Sequence, residues 1–160
     1  MNNEIVLKKF REEDIALFKQ WLYKPHVARW YEQPLSWLEE IDKRDTEYRW
    51  IQHYIVWEQG RPMGFCQYYE YVRSGEDWNG SIPVQGTYSM DYMIGEEEFL
   101  HRGYGKQIVY ALIEQIGNHN NAKRIIVQPE KENLASCGVL QASGFRYDDE
   151  NELYIMNLDE

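Results

Sequence analysis

Residues 101–106 read His-Arg-Gly-Tyr-Gly-Lys, and an apolar helix pattern follows at once. Gly103 and Gly105 carry no side chain, so a ligand can approach the backbone closely there. The first turn of a helix aims unpaired N–H groups outward and carries partial positive charge. Phosphate or pyrophosphate is the natural guest of such a turn, and Arg102 and Lys106 would reinforce it. A helix start whose glycines serve turn geometry alone is the alternative that the motif leaves open. Two better-known phosphate loops do not fit. A P-loop needs glycine at 100 and Ser or Thr at 107, where Leu100 and Gln107 stand, and a dinucleotide fingerprint needs glycine at 108, where Ile108 stands.

Asp91 is the second residue that suggests chemistry. It interrupts an otherwise apolar strand pattern, Thr-Tyr-Ser-Met-Asp-Tyr-Met-Ile-Gly at 87–95. A carboxylate there is costly without a partner or a task. Alternation puts Met90 and Tyr92 on the opposite face. A half-exposed or salt-bridged acid competes with a general base at this position. Further acids and aromatics gather in two irregular stretches: Glu76, Asp77 and Trp78 in one, Trp30 and Tyr31 in the other. Together they suit a polycationic amine. Taken singly, each reads equally well as a solvated loop residue or an aromatic folded onto the core.

The elements that would position these residues follow from periodicity. Residues 4–10 read as a strand and 11–23 as a helix with Ile15, Leu17, Phe18, Trp21 and Leu22 on one stripe. An irregular, aromatic-rich connection spans 24–34, and a second helix spans 36–45 with Ser36 near its start. Strands at 50–58 and 63–72 form a hairpin. A long Gly-, Ser- and Asn-containing loop at 73–86 leads to the strand at 87–95, then to the glycine turn and its helix. A turn at 118–123, a short strand at 124–129 and a helix at 132–144 come next, with Gly144 as its stop. Residues 145–158 close the chain as two strands around a solvated acidic turn, 148–152. The order β-α-α-β-β-β-α-β-α-β-β predicts an α/β domain, antiparallel in its first half with a parallel crossover in its second.

Composition narrows the partners. With 17 basic and 27 acidic residues, a net charge of −10 argues against nucleic acid and anionic membrane and favours a cationic substrate or mere solubility. At 160 residues, one domain spanning 1–160 is expected. Cys66 and Cys137 lack metal or redox spacing and read as buried free thiols of a reducing compartment. The first ten residues lack a signal-peptide core, and no apolar run is long enough to span a membrane, so the cytoplasm is the expected location. His26, His53, His101 and His119 are scattered without ligand spacing, and no metal is implied. Monomer and dimer stay open.

The two glycines after a strand, Asn133 in Pro-x-x-x-Asn-Leu at 129–134 and Ala-Ser-Gly-Phe at 142–145 together resemble the GNAT superfamily of acyl-CoA-dependent N-acetyltransferases. The resemblance implies the GNAT fold, a mixed and mostly antiparallel central sheet with flanking helices. It also implies acetyl-CoA as cosubstrate. Its pyrophosphate would lie on the turn formed by His101, Arg102, Gly103, Tyr104, Gly105 and Lys106. Its pantetheine arm would meet the backbone of Tyr92, Met93 and Ile94, with Asn133 and Ser136 alongside. Segments 21–31, 60–78 and 89–109 look like the aminoglycoside 6′-N-acetyltransferases of that class, with overlap to acyltransferases of other amines. In those relatives the position of Asp91 supplies the base.

The expected reaction is therefore direct transfer of an acetyl group to a primary amine of a cationic small molecule, an aminoglycoside first of all. Trp30, Tyr31, Glu76, Asp77, Trp78 and Asp91 would hold the acceptor. A polyamine, a siderophore-type lysine derivative or a protein amine is the alternative acceptor, and a non-catalytic acyl-CoA-binding module the alternative class. Two departures stand out. Leu100 replaces the Gln or Arg often found before the first glycine, and Leu140 replaces the Tyr that protonates the leaving thiolate in many members.

Overall fold

A computed structural model describes residues 4–158. β1 (Ile5–Lys9) leads through one 3-10 turn to α1 (Ile15–Leu22), α2 (Pro25–Ala28) and α3 (Pro34–Asp42). The hairpin β2 (Ile51–Glu58) and β3 (Arg61–Glu70) follows, then β4 (Thr87–Ile94) and α4 (Tyr104–Gly117). β5 (Arg124–Val127), α5 (Leu134–Ala142), β6 (Arg146–Asp148) and β7 (Leu153–Asn157) complete the chain. The connection at 24–34 is less irregular than its aromatic sequence suggests. Pro25 opens α2 at its first position, where a missing N–H costs nothing. α3 likewise begins at Pro34 rather than Ser36, behind Gln33 in the left-handed region at φ 60°. α3 ends at Asp42, three residues short of the expected helix.

The sheet runs β1-β2-β3-β4-β5-β7-β6, antiparallel except between β4 and β5. α4 and α5 pack on one face. There Tyr88, Met90, Tyr92 and Ile94 of β4 share a core with Ile108, Val109, Leu112 and Leu140. α1, α2 and α3 cover the other face, where Phe18, Trp21, Val27 and Ile41 meet Ile55, Phe65 and Met93. Alternation thus separates Asp91 from Met90 and Tyr92, because side chains along a strand point to opposite faces.

Register turns the α1–α3 face into three successive rungs across β2, β3 and β4. Ile55, Phe65 and Met93 form the first, His53, Gln67 and Asp91 the second, and Ile51, Tyr69 and Ser89 the third. The single parallel pairing is short. β4 and β5 pair only at Thr87 with Arg124 and Tyr88 with Ile125, although β4 continues to Ile94. Beyond Tyr88 the two strands part, and one edge of β4 faces the gap.

Candidate functional site

The gap opens onto a cavity of about 560 Å³. Its floor is the sheet, with Gln67, Tyr69, Ser89 and Asp91. Trp30 and Tyr31 after α2, with Trp37 and Glu40 of α3, form one wall, and Glu76 and Trp78 of the long loop another. The ends of β5 and α5 close it with Val127, Gln128, Asn133 and Ser136.

Asp91 accepts a 2.9 Å hydrogen bond from Nε2 of Gln67, its cross-strand partner. Burial lifts the Asp91 carboxyl to about 6; the Gln67 bond works against that rise, and the negative charge of Glu76 adds to it. Glu40 is pushed further, to about 7, by burial first and then by the charges of Asp91 and Glu76. Asp91, Glu40 and Glu76 thus share one aromatic-walled space, where Glu76 raises the cost of ionising Asp91 and both raise that of Glu40. A cationic guest reverses that penalty. A carboxylate with a value near 6 is also a competent proton acceptor near neutral pH.

The glycine turn at 101–106 lies outside this lining, and what it presents is backbone. Gly103 holds φ at 84° and stands as the N-cap of α4, and no side chain caps that helix among the described residues. A Cβ on Gly103 would meet nothing within 4 Å, so the turn is open on its outer side. Gly105 is less open: a Cβ there would touch Cγ2 of Val139 on α5 at 3.4 Å, an ordinary packing contact. Arg102, Lys106 and His101 are exposed around the turn. Tyr104 is not part of the open surface; its ring is buried edge-on to Phe99. Its backbone N–H, at the first position of α4, is among those without an intrahelical partner.

α5 starts differently. Asn133 caps it with its own side chain, which accepts from the Ser136 N–H at 3.2 Å. The Ser136 hydroxyl meets the Tyr92 hydroxyl at 3.0 Å across the gap. α2 and the residues after it reach the same edge of β4. The Tyr31 hydroxyl donates to the Tyr92 carbonyl at 2.6 Å, and Nε2 of His26 donates to the Ile94 carbonyl at 2.9 Å. These two bonds fix the direction in which β4 presents its backbone.

Asp91, Tyr92, Asn133, Ser136, Trp30, Tyr31, Glu76 and Trp78 all line the cavity. Asp77 does not; it is exposed on the loop, outside the lining. The Met93 side chain is also elsewhere, buried against α1–α3, and Ile94 packs on the α4 side. Trp78 is placed in two environments at once. It lines the cavity and stacks edge-on against Tyr71 at 5.0 Å. Cys66 is buried, and burial pushes its thiol up, whereas Cys137 is half-buried rather than fully enclosed. Leu140 is fully buried, so that helix position brings only hydrocarbon to the core.

Glu40, Gln67 and Trp37 line the cavity and His26 braces β4, beyond the residues that the sequence points to. Trp37 and Glu40 are three apart on one helix, which places them on a common face. That spacing was a usable signal for Glu40. Gln67 offered a weaker one, a lone amide in an apolar strand, and His26 none.

The geometry has a counterpart among known proteins. Residues 11–153 match the family described as an acetyltransferase (GNAT) domain. The chain belongs to the GNAT acetyltransferases and is a GNAT-family N-acetyltransferase. It is 25% identical over 150 residues to aminoglycoside N(6′)-acetyltransferase type 1 of Klebsiella pneumoniae, covering 90% of this chain and 75% of the relative. The enzyme of the same name from Serratia marcescens matches equally. Among solved structures, aminoglycoside acetyltransferase AAC(6′)-Ib in complex with coenzyme A and kanamycin superposes with a TM-score of 0.82 at 22% identity, over 96% of this chain and 95% of that one. An aminoglycoside N(6′)-acetyltransferase from Legionella pneumophila gives a TM-score of 0.76 at 16% identity, over 99% and 95% of the two chains. Members of this family use acetyl-CoA. Among the described residues, no helix is long and apolar enough to cross a membrane.

Proposed function

We propose that the protein acetylates a primary amine of a polycationic small molecule, the 6′-amine of an aminoglycoside, as a single cytoplasmic domain using acetyl-CoA. One observation carries the reading. Asp91 and Glu40 share an aromatic-walled cavity that opens where β4 leaves β5. A coenzyme laid along the freed edge of β4 would bring its thioester beside Asp91. Its pyrophosphate would take the uncapped N–H groups of α4, with Arg102 and Lys106 adding charge. The fit is favourable, since the outer side of Gly103 is open.

The acceptor arrives as an ammonium and cannot attack. Asp91 takes one proton from it, and the neutral nitrogen then adds to the thioester carbonyl. A backbone N–H of β4 would steady the developing oxyanion. Collapse breaks the C–S bond and forms the amide. Free thiols have a pKa of about 8.5, so the sulfur can leave as thiolate and take up the proton shed by the new C–N bond. Glu40 and Glu76 would hold further ammonium groups of the same molecule. The aromatic walls would cover its ring faces and add cation–π attraction.

The test is thiol release from acetyl-CoA over a panel of aminoglycosides, spermidine, lysine derivatives and a peptide. Turnover with 6′-amine aminoglycosides and none with 6′-hydroxyl analogues is the expected result. Turnover confined to another amine would move the acceptor and keep the mechanism. Coenzyme binding without turnover on any amine would overturn the enzymatic reading.

A further inference from the structure

His53 stands opposite Gln67, and Gln67 opposite Asp91, on three neighbouring strands. His53 and Gln67 are only 2% and 3% exposed. An ionised carboxylate can only accept hydrogen bonds, so the Gln67 amide must face Asp91 with its nitrogen. That orientation sends Oε1 to the other branch of the amide, away from β4. Among the described residues Oε1 of Gln67 has no hydrogen-bond partner, and neither has Nε2 of His53. Both atoms are buried, and buried polar atoms are rarely left unpaired. One can donate and the other only accepts. Directly opposite residues in a sheet have Cβ atoms about 4.5–5.5 Å apart, which makes the two side chains neighbours on one face.

We propose that Nε2–H of His53 donates to Oε1 of Gln67, and that the two are positioning residues which aim the Asp91 carboxylate. The proposal rests on Asp91 as the base. Its working principle is orientation. With Oε1 held by the ring, the amide cannot flip and present oxygen to a carboxylate. Burial, helped by the charges of Lys9 and Arg44, pushes His53 down to about 3, so the ring stays a neutral, single-proton donor near neutral pH. Asp91 itself faces Glu40 from α3, Glu76 from the long loop, and the phenols Tyr31 and Tyr69.

The test compares His53→Phe with His53→Gln in the full chain. Phe removes the donor and keeps an aromatic ring beside Phe65; Gln keeps an N–H. Nitrogen-15 NMR of the unaltered protein should find the His53 proton on Nε2. In His53→Phe, kcat should fall about tenfold at constant acceptor KM, and the acidic limb of kcat/KM should move up by roughly half a pH unit as Asp91 loses its donor. His53→Gln should restore both. A proton on Nδ1 overturns the relay. So does an unmoved acidic limb in His53→Phe at an unchanged melting temperature. Carbon-13 titration of the Asp91 carboxyl reads the same shift without turnover. Failure of the proposed reaction is thereby kept distinct from failure of the relay. If His53→Phe does not fold, the tautomer alone decides.

Discussion

The two halves of the proposed site are built from different material. The half around α4 is backbone: one left-handed glycine, a helix start without a side-chain cap, and a strand edge that β5 leaves beyond Tyr88. The half around Asp91 is side chain: Asp91, Glu40, Glu76 and several aromatic rings delivered by α3, β3, β4 and the irregular connections between elements. A backbone site tolerates most sequence change around it but depends on a few dihedral angles. A side-chain site depends on identities that lie far apart in the chain. The two halves should therefore fail in different ways.

The sharpest break is Asp91→Asn. Turnover should fall by about 10²–10⁴-fold, the usual worth of a positioned base, while coenzyme affinity measured by calorimetry stays within a few-fold. Equal losses in both would mean that the halves are not separable. The pH profile tests the same residue without substitution. Because burial lifts Asp91 to about 6, kcat/KM should decline as pH drops below that value. A limb near 4 would mean that the acid is solvated.

Gly103→Val should break the other half. A β-branched residue in the left-handed region costs roughly 1–2 kcal/mol, so coenzyme binding should weaken about tenfold with the acceptor KM little changed. Gly105→Ala, whose Cβ meets Val139 at 3.4 Å, should do less. Glu40→Gln is the mildest on chemistry. The acceptor KM should rise about fivefold, the value of one partly screened charge contact, with kcat nearly preserved.

The same substitution should stabilise the free protein above neutral pH. The folded-state values of Glu40 and Asp91 are raised, so the folded chain holds protons that the unfolded chain releases. Their contribution is fully present below about pH 4 and is lost as pH rises through about 6 and 7. Glu40→Gln removes part of that loss, and a melting temperature higher by about 2–4 °C at pH 8 is expected from thermal unfolding. A lower one would show that Glu40 holds the cavity together.

The difference in material also explains what the sequence disclosed. The glycine turn, the strand before it and the capped helix of Asn133 are each contiguous, and their spacing alone exposes them. The element order and the mixed sheet were legible for the same reason. The helix at Pro25–Ala28 was not, because four residues give periodicity too little length and its aromatic neighbours mask it. Gln67 became visible only through register: nothing local says that an amide in β3 meets an acid in β4. Asp77 shows the converse. It neighbours Glu76 in sequence, yet loop geometry leaves it outside the cavity.

The parting of β4 from β5 has a kinetic consequence. In a strand, the N–H and C=O of one residue point to the same side. Tyr31 and His26 take the carbonyls of Tyr92 and Ile94, so the amide protons of those two residues share that side rather than the ladder with β3. They should exchange with deuterium quickly in the free protein, while their neighbours in the β3 ladder exchange slowly. Coenzyme should slow the first set and leave the second alone. A single strand then carries two clocks, and only one of them reads the ligand.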